Sequence, residues 1–273
     1  MKILRRKSDM RSLVLIGFTF TLMLFLLSQS WSFFTLPVYI FSFLLFTFLV
    51  FTCTLINHNH RHHLIFSSNS LNTLCNWIIS VNIGAPSTRL HLVHHFNHHH
   101  YFPSHEDWCH PDTNAKGEGF GRILTYLKNS TTTMTKYRNS LVKTKHHRRA
   151  LFNEKVLLYV FSAGALYWNW KVFVFFILPG WFLGLSLLLT SNLLNHDHCD
   201  FSDEINHSRD FINPFENWLF CNNGYHTAHH LNPHLHWEEL PSFHEKNIIP
   251  MKKKEFSSGS FFIFLLKYSL RLT

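Results

Sequence analysis

The side chains best suited to chemistry in this chain are its histidines, of which there are 23 against 16 acidic residues in total. Most of them lie in four clusters, at residues 58–63, 91–100, 196–198 and 226–230, and Asn192 stands four residues before the third cluster. Neutral imidazole is a ligand for zinc, copper, iron and nickel. The clusters therefore predict a metal site built largely from nitrogen ligands.

The spacing within the clusters supports this interpretation. His58 and His62 are one helical turn apart, and the pattern H-x-x-H-H begins at His91, at His95 and again at His226. Residues separated by three or four positions share one face of an α-helix, so each pattern can present several imidazoles to one ion.

The number of candidate ligands indicates two ions. The H-E-x-x-H pattern of zinc proteases is missing from the sequence. Soluble di-iron carboxylate bundles need Glu-x-x-His on two helices, and here only Glu204 and His207 have that spacing. The histidine clusters supply eight or more ligands, which exceeds the needs of a single ion.

Apolar runs must position these clusters. The chain is 46% hydrophobic and only 15% charged, whereas soluble domains are about a quarter charged. Four runs are predicted to span a membrane, at residues 12–28, 33–56, 151–168 and 172–194. A short polar turn joins the first run to the second, and another joins the third run to the fourth. This arrangement predicts an all-α integral membrane protein with two transmembrane helical hairpins.

Basic residues predict the orientation of these hairpins. They precede the first and third runs, and the positive-inside rule places such residues in the cytoplasm. They are Lys2, Arg5, Arg6, Lys7, Arg11, Lys143, Lys145, Arg148 and Arg149. The net charge of +9 is thereby explained without a nucleic-acid partner. We expect one domain over residues 1–273, with both termini and a helical cap cytoplasmic. The cap comprises residues 57–150 and 195–273 and carries the metal site, with amphipathic helices at 122–149 and 201–220.

Taken as a set, the spacings resemble the histidine boxes of the membrane fatty acid desaturases, a superfamily that includes related hydroxylases and ketolases. The resemblance rests on H-x-x-x-H at residues 58–62, on the H-x-x-H-H patterns, and on N-x-x-x-H at residues 192–196. It extends over roughly residues 33–241. Residues 222–241 look especially like the bacterial-type members.

This resemblance implies a di-iron centre, with the asparagine contributing directly or through water. The implied ligands are His58, His62, His95, His98, His99, Asn192, His196, His226, His229 and His230. His63 remains an alternative to His62, because the family tolerates both spacings. Asp107 and Asp197 are expected to orient ligand imidazoles by accepting their N–H groups.

The register of the second cluster also follows from the resemblance. The family usually has an acidic residue at a fixed distance after this box, and Asp107 stands at that distance from His99. This favours the pattern that begins at His95 over the one that begins at His91. His91 and His94 are then additional to the family pattern.

The implied reaction is an oxidation of a membrane lipid or acyl chain, with O₂ as co-substrate and a double bond as product. The sequence contains no haem-attachment motif, no dinucleotide fingerprint and no iron–sulfur cysteine set. The electrons are therefore expected from an external donor such as a ferredoxin or a cytochrome b₅-like protein.

Two alternatives remain. A hydroxylase or ketolase of the same superfamily, acting on a carotenoid, sphingolipid or other lipid, would use the same ligands. A histidine-rich metal-binding or transport protein would need a polar path through its spans. Residues 33–56 and 172–194 offer few polar side chains, which argues against a transporter.

Overall fold

The apolar runs of the sequence form long helices in the computed structural model of the protein, which describes residues 2–272. In chain order the α-helices are α1 (Asp9–Ser28), α2 (Leu36–His62), α3 (Asn69–Ile83), α4 (Ser87–Val93), α5 (His99–Tyr101), α6 (Pro111–Asn114), α7 (Gly119–Tyr137), α8 (Lys145–Val172), α9 (Leu178–His196), α10 (Pro214–Leu219), α11 (His226–Leu231), α12 (Leu240–Asn247) and α13 (Phe261–Ser269). Two short strands, β1 (Asp210–Phe211) and β2 (Ser257–Ser258), pair in parallel.

Backbone contacts divide the chain into two compact units. The first unit comprises Met1–His91 and Val142–Leu188, and the second comprises Leu92–Leu141 and Leu189–Thr273. The first unit therefore contains most of the apolar helices, and the second contains most of the histidines.

Within residues 2–272, three helical runs are long and apolar enough to cross a membrane. They are Asp9–Ser28, Leu36–His62 and Lys145–His196. The first two correspond to the first two predicted spans. The second run continues through the first histidine cluster, so the polar residues that follow the predicted span extend the same helix.

The third run contains both remaining predicted spans. It has 52 residues, which in a straight helix would extend about 78 Å, against a hydrocarbon core of about 30 Å. Asn169 interrupts it with φ −154° and ψ 75°, which are not helical values. This residue lies in the predicted turn between the two spans. The Phe161 and Trp181 rings, one on each side of Asn169, lie 6.1 Å apart between centroids.

Glycine permits the close packing of α3 in the first unit. Helix α3 ends at Gly84, which has φ +67°. A Cβ atom there would overlap the Trp181 indole. Both the left-handed backbone and the contact therefore require a residue without a side chain.

A buried polar network also joins the helices of the first unit. Glu154 of α8 accepts hydrogen bonds from the Thr88 amide (2.9 Å) and hydroxyl (2.7 Å). Its carboxylate also lies 3.5 Å from the Arg61 guanidinium. The guanidinium donates in turn to the hydroxyls of Ser87 and Thr88. These bonds connect α2, α4 and α8. They also provide partners for the Glu154 carboxylate, which would be costly to bury alone.

The second unit is built from short helices and turns. Of the predicted amphipathic helices, 122–149 forms α7 and the start of α8, but 201–220 is helical only in α10. The prediction of a helix over the rest of 201–220 was wrong, because aspartate side chains there stabilise turns. The Asp203 carboxylate accepts the amides of Ile205 and Asn206.

Candidate metal centre

A π-helical turn places the histidines of the second cluster. Helix α4 passes into this turn at His94–His98, and α5 follows. The His99 amide bonds the His94 carbonyl, which is a pairing across five residues instead of four. Consequently the His94 and His99 rings lie side by side, with centroids 4.4 Å apart. Such single turns recur at functional sites.

Four histidines of the second unit form the first group. His98, His196, His226 and His230 each bring one ring nitrogen to within 4.8 Å of the others. The Nε2 atoms of His196 and His226 are 2.9 Å apart. His196 is the last residue of α9, while His226 and His230 are one turn apart on α11. Rigid elements thus position three of the four rings.

Hydrogen bonds at the outer nitrogens set the tautomers of this group. His98 donates from Nδ1 to the Asp107 carboxylate at 2.7 Å, and both side chains are buried. His196 donates from Nδ1 to the His207 carbonyl at 3.3 Å. Since carboxylate and carbonyl oxygens only accept, each Nδ1 carries a proton, and in the neutral imidazole each Nε2 then keeps its lone pair for a metal ion.

The inner nitrogens of the first group are available to a cation. Among the described residues, His98 Nε2 and His230 Nε2 are buried without a hydrogen-bond partner. A buried polar atom left in this state costs about 1–3 kcal/mol. Burial, together with the neighbouring His226 and His99, lowers the pKa of His230 well below its usual value. The imidazole is therefore neutral, which is the form that binds metals.

A second group lies beside the first in the same unit. His94, His99 and His229 also have ring nitrogens within 4.8 Å of one another, and the Nε2 atoms of His99 and His229 are 2.9 Å apart. The His99 and His230 rings, one from each group, have centroids 4.7 Å apart. Each group could hold a metal ion.

The first histidine cluster belongs to the first unit. His58 and His62 lie one turn apart on the last turns of α2, with ring centroids 5.1 Å apart. His63 leaves the helix, with φ −134° and ψ 105°. The helical spacing therefore pairs His58 with His62. That these two residues complete the same centre stays a prediction from the histidine boxes.

The structure differs from the sequence prediction at His95. This residue is exposed and contacts the Phe96 ring, with centroids 5.1 Å apart, and it belongs to neither histidine group. The π-helical turn instead brings His94 beside His99. A search based on α-helical spacing does not pair His94 with His99, since these residues stand at positions i and i+5.

The two predicted acidic residues have different surroundings. Asp107 accepts a hydrogen bond from the imidazole of His98. Asp197 instead accepts two bonds from the Arg122 guanidinium, at 2.6 and 2.8 Å, and one from the Tyr268 hydroxyl at 2.5 Å. These partners lie 75 and 71 residues away in sequence, so no local motif could have revealed them.

Asn192 has a hydrogen-bonding partner that the sequence did not indicate. Its amide donates to the hydroxyl of Tyr126 at 2.9 Å, and that hydroxyl donates to the Cys109 carbonyl at 2.9 Å. Tyr126 is fully buried on α7. The contact fixes the amide nitrogen, and its orientation leaves the side-chain oxygen as the atom suited to a metal or a bound water.

Buried charges hold α11, the helix that carries three of the histidines. Asp210 of β1 accepts the Thr227 amide at 2.7 Å. The Lys252 ammonium lies 3.2 Å from the same carboxylate and also donates to the Thr227 hydroxyl at 2.5 Å. Burial lowers the pKa of Lys252, and the Asp210 charge opposes that shift. The start of α11 is therefore anchored beside His226.

Comparison with known proteins adds one match. The family model for the fatty acid desaturases matches residues 33–259 of the chain. This stretch contains both histidine groups of the second unit and the two histidines at the end of α2. No curated protein matches the chain.

Proposed function

Because the chain belongs to the fatty acid desaturase family, we propose that it is an O₂-dependent membrane oxidoreductase that introduces a double bond into a fatty acyl chain. Two iron ions, held by histidines, are its proposed cofactors. The observation that carries the proposal is the pair of adjacent histidine groups in the second unit. Membership of the family alone supports the broader statement that the chain is a lipid oxidoreductase.

The donor set fits iron. His98, His196, His226 and His230 offer imidazole nitrogens, which suit iron among the first-row metals. His94, His99 and His229 offer a second set, and His58 and His62 are proposed from the histidine boxes to complete it. Asn192 is proposed to contribute through its oxygen, directly or through water.

A bound iron pair supplies the oxidising power that O₂ needs to attack an unactivated C–H bond. Overall, a CH₂–CH₂ unit, O₂, two electrons and two protons give CH=CH and two water molecules. The protein's own contribution is positional. Asp107 and the His207 carbonyl keep the protons of His98 and His196 on the outer nitrogens, and α11 holds three imidazoles in fixed positions.

The membrane topology is part of the proposal. We infer that the run Lys145–His196 forms two spans that meet at Asn169, which with α1 and α2 gives four spans in two hairpins. The contact between Phe161 and Trp181 supports this, since it brings together segments on the two sides of the break. The basic residues before α1 and α8 favour cytoplasmic termini and a cytoplasmic metal centre.

The proposed partners are a lipid or acyl substrate and an external electron donor, either a ferredoxin or a cytochrome b₅-like protein. A basic surface attracts an acidic donor and speeds its association. The net charge of +9 is consistent with such a donor.

The experiment that tests the function combines metal and lipid analysis. The protein is purified anaerobically, reconstituted with Fe²⁺ and assayed for bound iron. The lipids of an expressing host are then compared with those of hosts that carry His230→Ala or His146→Ala. His146 is an exposed histidine outside both groups, so His146→Ala is the matched control. We expect about two irons per chain and a new double bond, both lost in His230→Ala and kept in His146→Ala.

A different lipid product or a different bound metal would point to another function. A new hydroxyl or keto group that depends on His230 would favour the hydroxylase or ketolase alternative. Retention of stoichiometric zinc after iron reconstitution, with no oxidised lipid, would refute the iron-dependent function.

A further inference from the structure

Helix α13 (Phe261–Ser269) follows the part of the chain that matches the family, which ends at residue 259. Its exposed residues are Ile263, Leu266 and Lys267, and its opposite face packs within the second unit. Phe264 and Tyr268 are one turn apart on this inner face. Both side chains contact residues that hold the end of α9, where His196 lies.

Tyr268 acts on the residue directly after His196. Its hydroxyl donates to the Asp197 carboxylate at 2.5 Å, and Arg122 donates to the same carboxylate through two nitrogens. Asp197 is 1% exposed. A buried carboxylate with three charge-assisted or short hydrogen bonds has little freedom to move. The backbone that carries His196 is therefore held from one side.

Phe264 acts through Arg209. The Arg209 guanidinium carbon lies 4.6 Å from the centre of the Phe264 ring, within the range of a cation–π contact. The same guanidinium donates to the Leu194 carbonyl at 2.8 Å and to the Asp197 carbonyl at 3.3 Å. These two carbonyls flank His196 in the sequence, so α13 supports the last turn of α9 at a second point.

The packing of α13 against α7 explains how Arg122 and Tyr268, which are far apart in sequence, both reach the Asp197 carboxylate. Gly119, the first residue of α7, has φ +55°, and a Cβ atom there would lie 2.8 Å from the Ser269 carbonyl oxygen. A side chain at this position would push the two helices apart. The glycine thus allows the start of α7, which carries Arg122, to approach the end of α13, which carries Tyr268.

We propose that α13 is a positioning element for the metal centre and that Tyr268 and Phe264 are its positioning residues. They keep the His196 imidazole aimed into the first histidine group by holding Asp197 and Arg209. This inference rests on the proposed function insofar as that group binds iron. The inference adds α13, which lies outside the residues that the family model matches, to the elements that position the metal centre.

The test is Tyr268→Phe in the full-length protein, which removes the hydroxyl and keeps the ring. Tyr159→Phe is the matched control, because Tyr159 is an exposed tyrosine of α8 in the first unit. Iron affinity is measured by competition with a chelator, and the Fe²⁺ quadrupole splitting by Mössbauer spectroscopy. Loss of partners that orient ligands weakens metal binding about 10–100-fold. Because Tyr268 acts on the ligand only through Asp197, we expect Tyr268→Phe to weaken binding by about tenfold or less, with an altered quadrupole splitting, and Tyr159→Phe to match the wild type.

Phe264→Leu provides a second, independent variant, which weakens the support of Arg209 while keeping an apolar side chain. It is expected to lower iron affinity in the same direction. A lower melting temperature with unchanged iron affinity and Mössbauer spectrum, in both variants, would show that α13 is only a packing element and would overturn the inference. If the wild type itself binds no iron at the histidines, the proposed function fails instead.

Discussion

The buried hydrogen bond between His98 and Asp107 allows a quantitative test of the metal centre. The two side chains are 2.7 Å apart and at most 2% exposed. The other Asp107 oxygen accepts the Cys109 amide at 2.9 Å. Asp107→Ala therefore leaves a buried imidazole N–H and a buried amide without their acceptor. Asp107→Asn keeps the shape and one acceptor oxygen but removes the charge that favours a metal-bound imidazole.

The expected effect follows from these contacts. Removing a carboxylate that orients a ligand lowers metal affinity about 10–100-fold, which corresponds to about 1.4–2.8 kcal/mol. Each unsatisfied buried group costs a further 1–3 kcal/mol of folding stability, roughly. We therefore expect Asp107→Ala to lose both iron affinity and stability. Asp107→Asn should lose mainly affinity.

The assay measures iron affinity by chelator competition and unfolding of the metal-free protein by denaturant in detergent. Glu106→Gln is the control, because Glu106 is an exposed carboxylate next to Asp107. Wild-type iron affinity in Asp107→Ala would refute the reasoning, since His98 could not then be a ligand whose orientation depends on Asp107.

Three further predictions follow from other contacts. His94→Ala should reduce the iron content, while His95→Ala should leave it unchanged, as measured by metal analysis after reconstitution; the reverse result would contradict the register set by the π-helical turn. Burial lowers the pKa of His230 from 6.5, so below that pH the unfolded chain takes up a proton that the folded metal-free protein refuses. The free energy of unfolding should therefore fall by about 1.4 kcal/mol for each pH unit through this group. It is measured by denaturant titration at several pH values, and the same dependence on pH in the wild type and in His230→Ala would contradict this prediction. Glu154→Ala should cost about 3–5 kcal/mol, because Arg61 keeps its buried charge without a carboxylate; a loss below about 1 kcal/mol in the same assay would be the contrary result.

Much of the fold could be predicted because its signals are local. Apolar length marks α1 and α2, and the helical spacing of His58 and His62 anticipates that α2 continues to residue 62. The polar turn predicted at residues 169–171 coincides with the break at Asn169. These features depend on neighbouring residues, so a single sequence contains the information.

The remaining features depend on contacts between distant residues or on an irregular backbone. The π-helical turn at His94–His98 leaves no pattern in the sequence, and it places His94, not His95, beside His99. The partners of Asp197 come from α7 and α13. The sequence around Asp197 does not distinguish a carboxylate that orients a metal-ligand imidazole from one that holds an arginine and a tyrosine.

The break at Asn169 also has a consequence for biosynthesis. Its side-chain amide donates to the carbonyls of Leu27 (3.0 Å) and Gln29 (2.7 Å), at the end of α1. Those carbonyls are synthesised about 140 residues before their donor, and they follow an apolar helix that can enter the membrane earlier. Until the ribosome has passed residue 169, water or lipid headgroups must supply the missing donors. The first helix to be inserted therefore acquires these hydrogen bonds only after about 140 further residues have been synthesised.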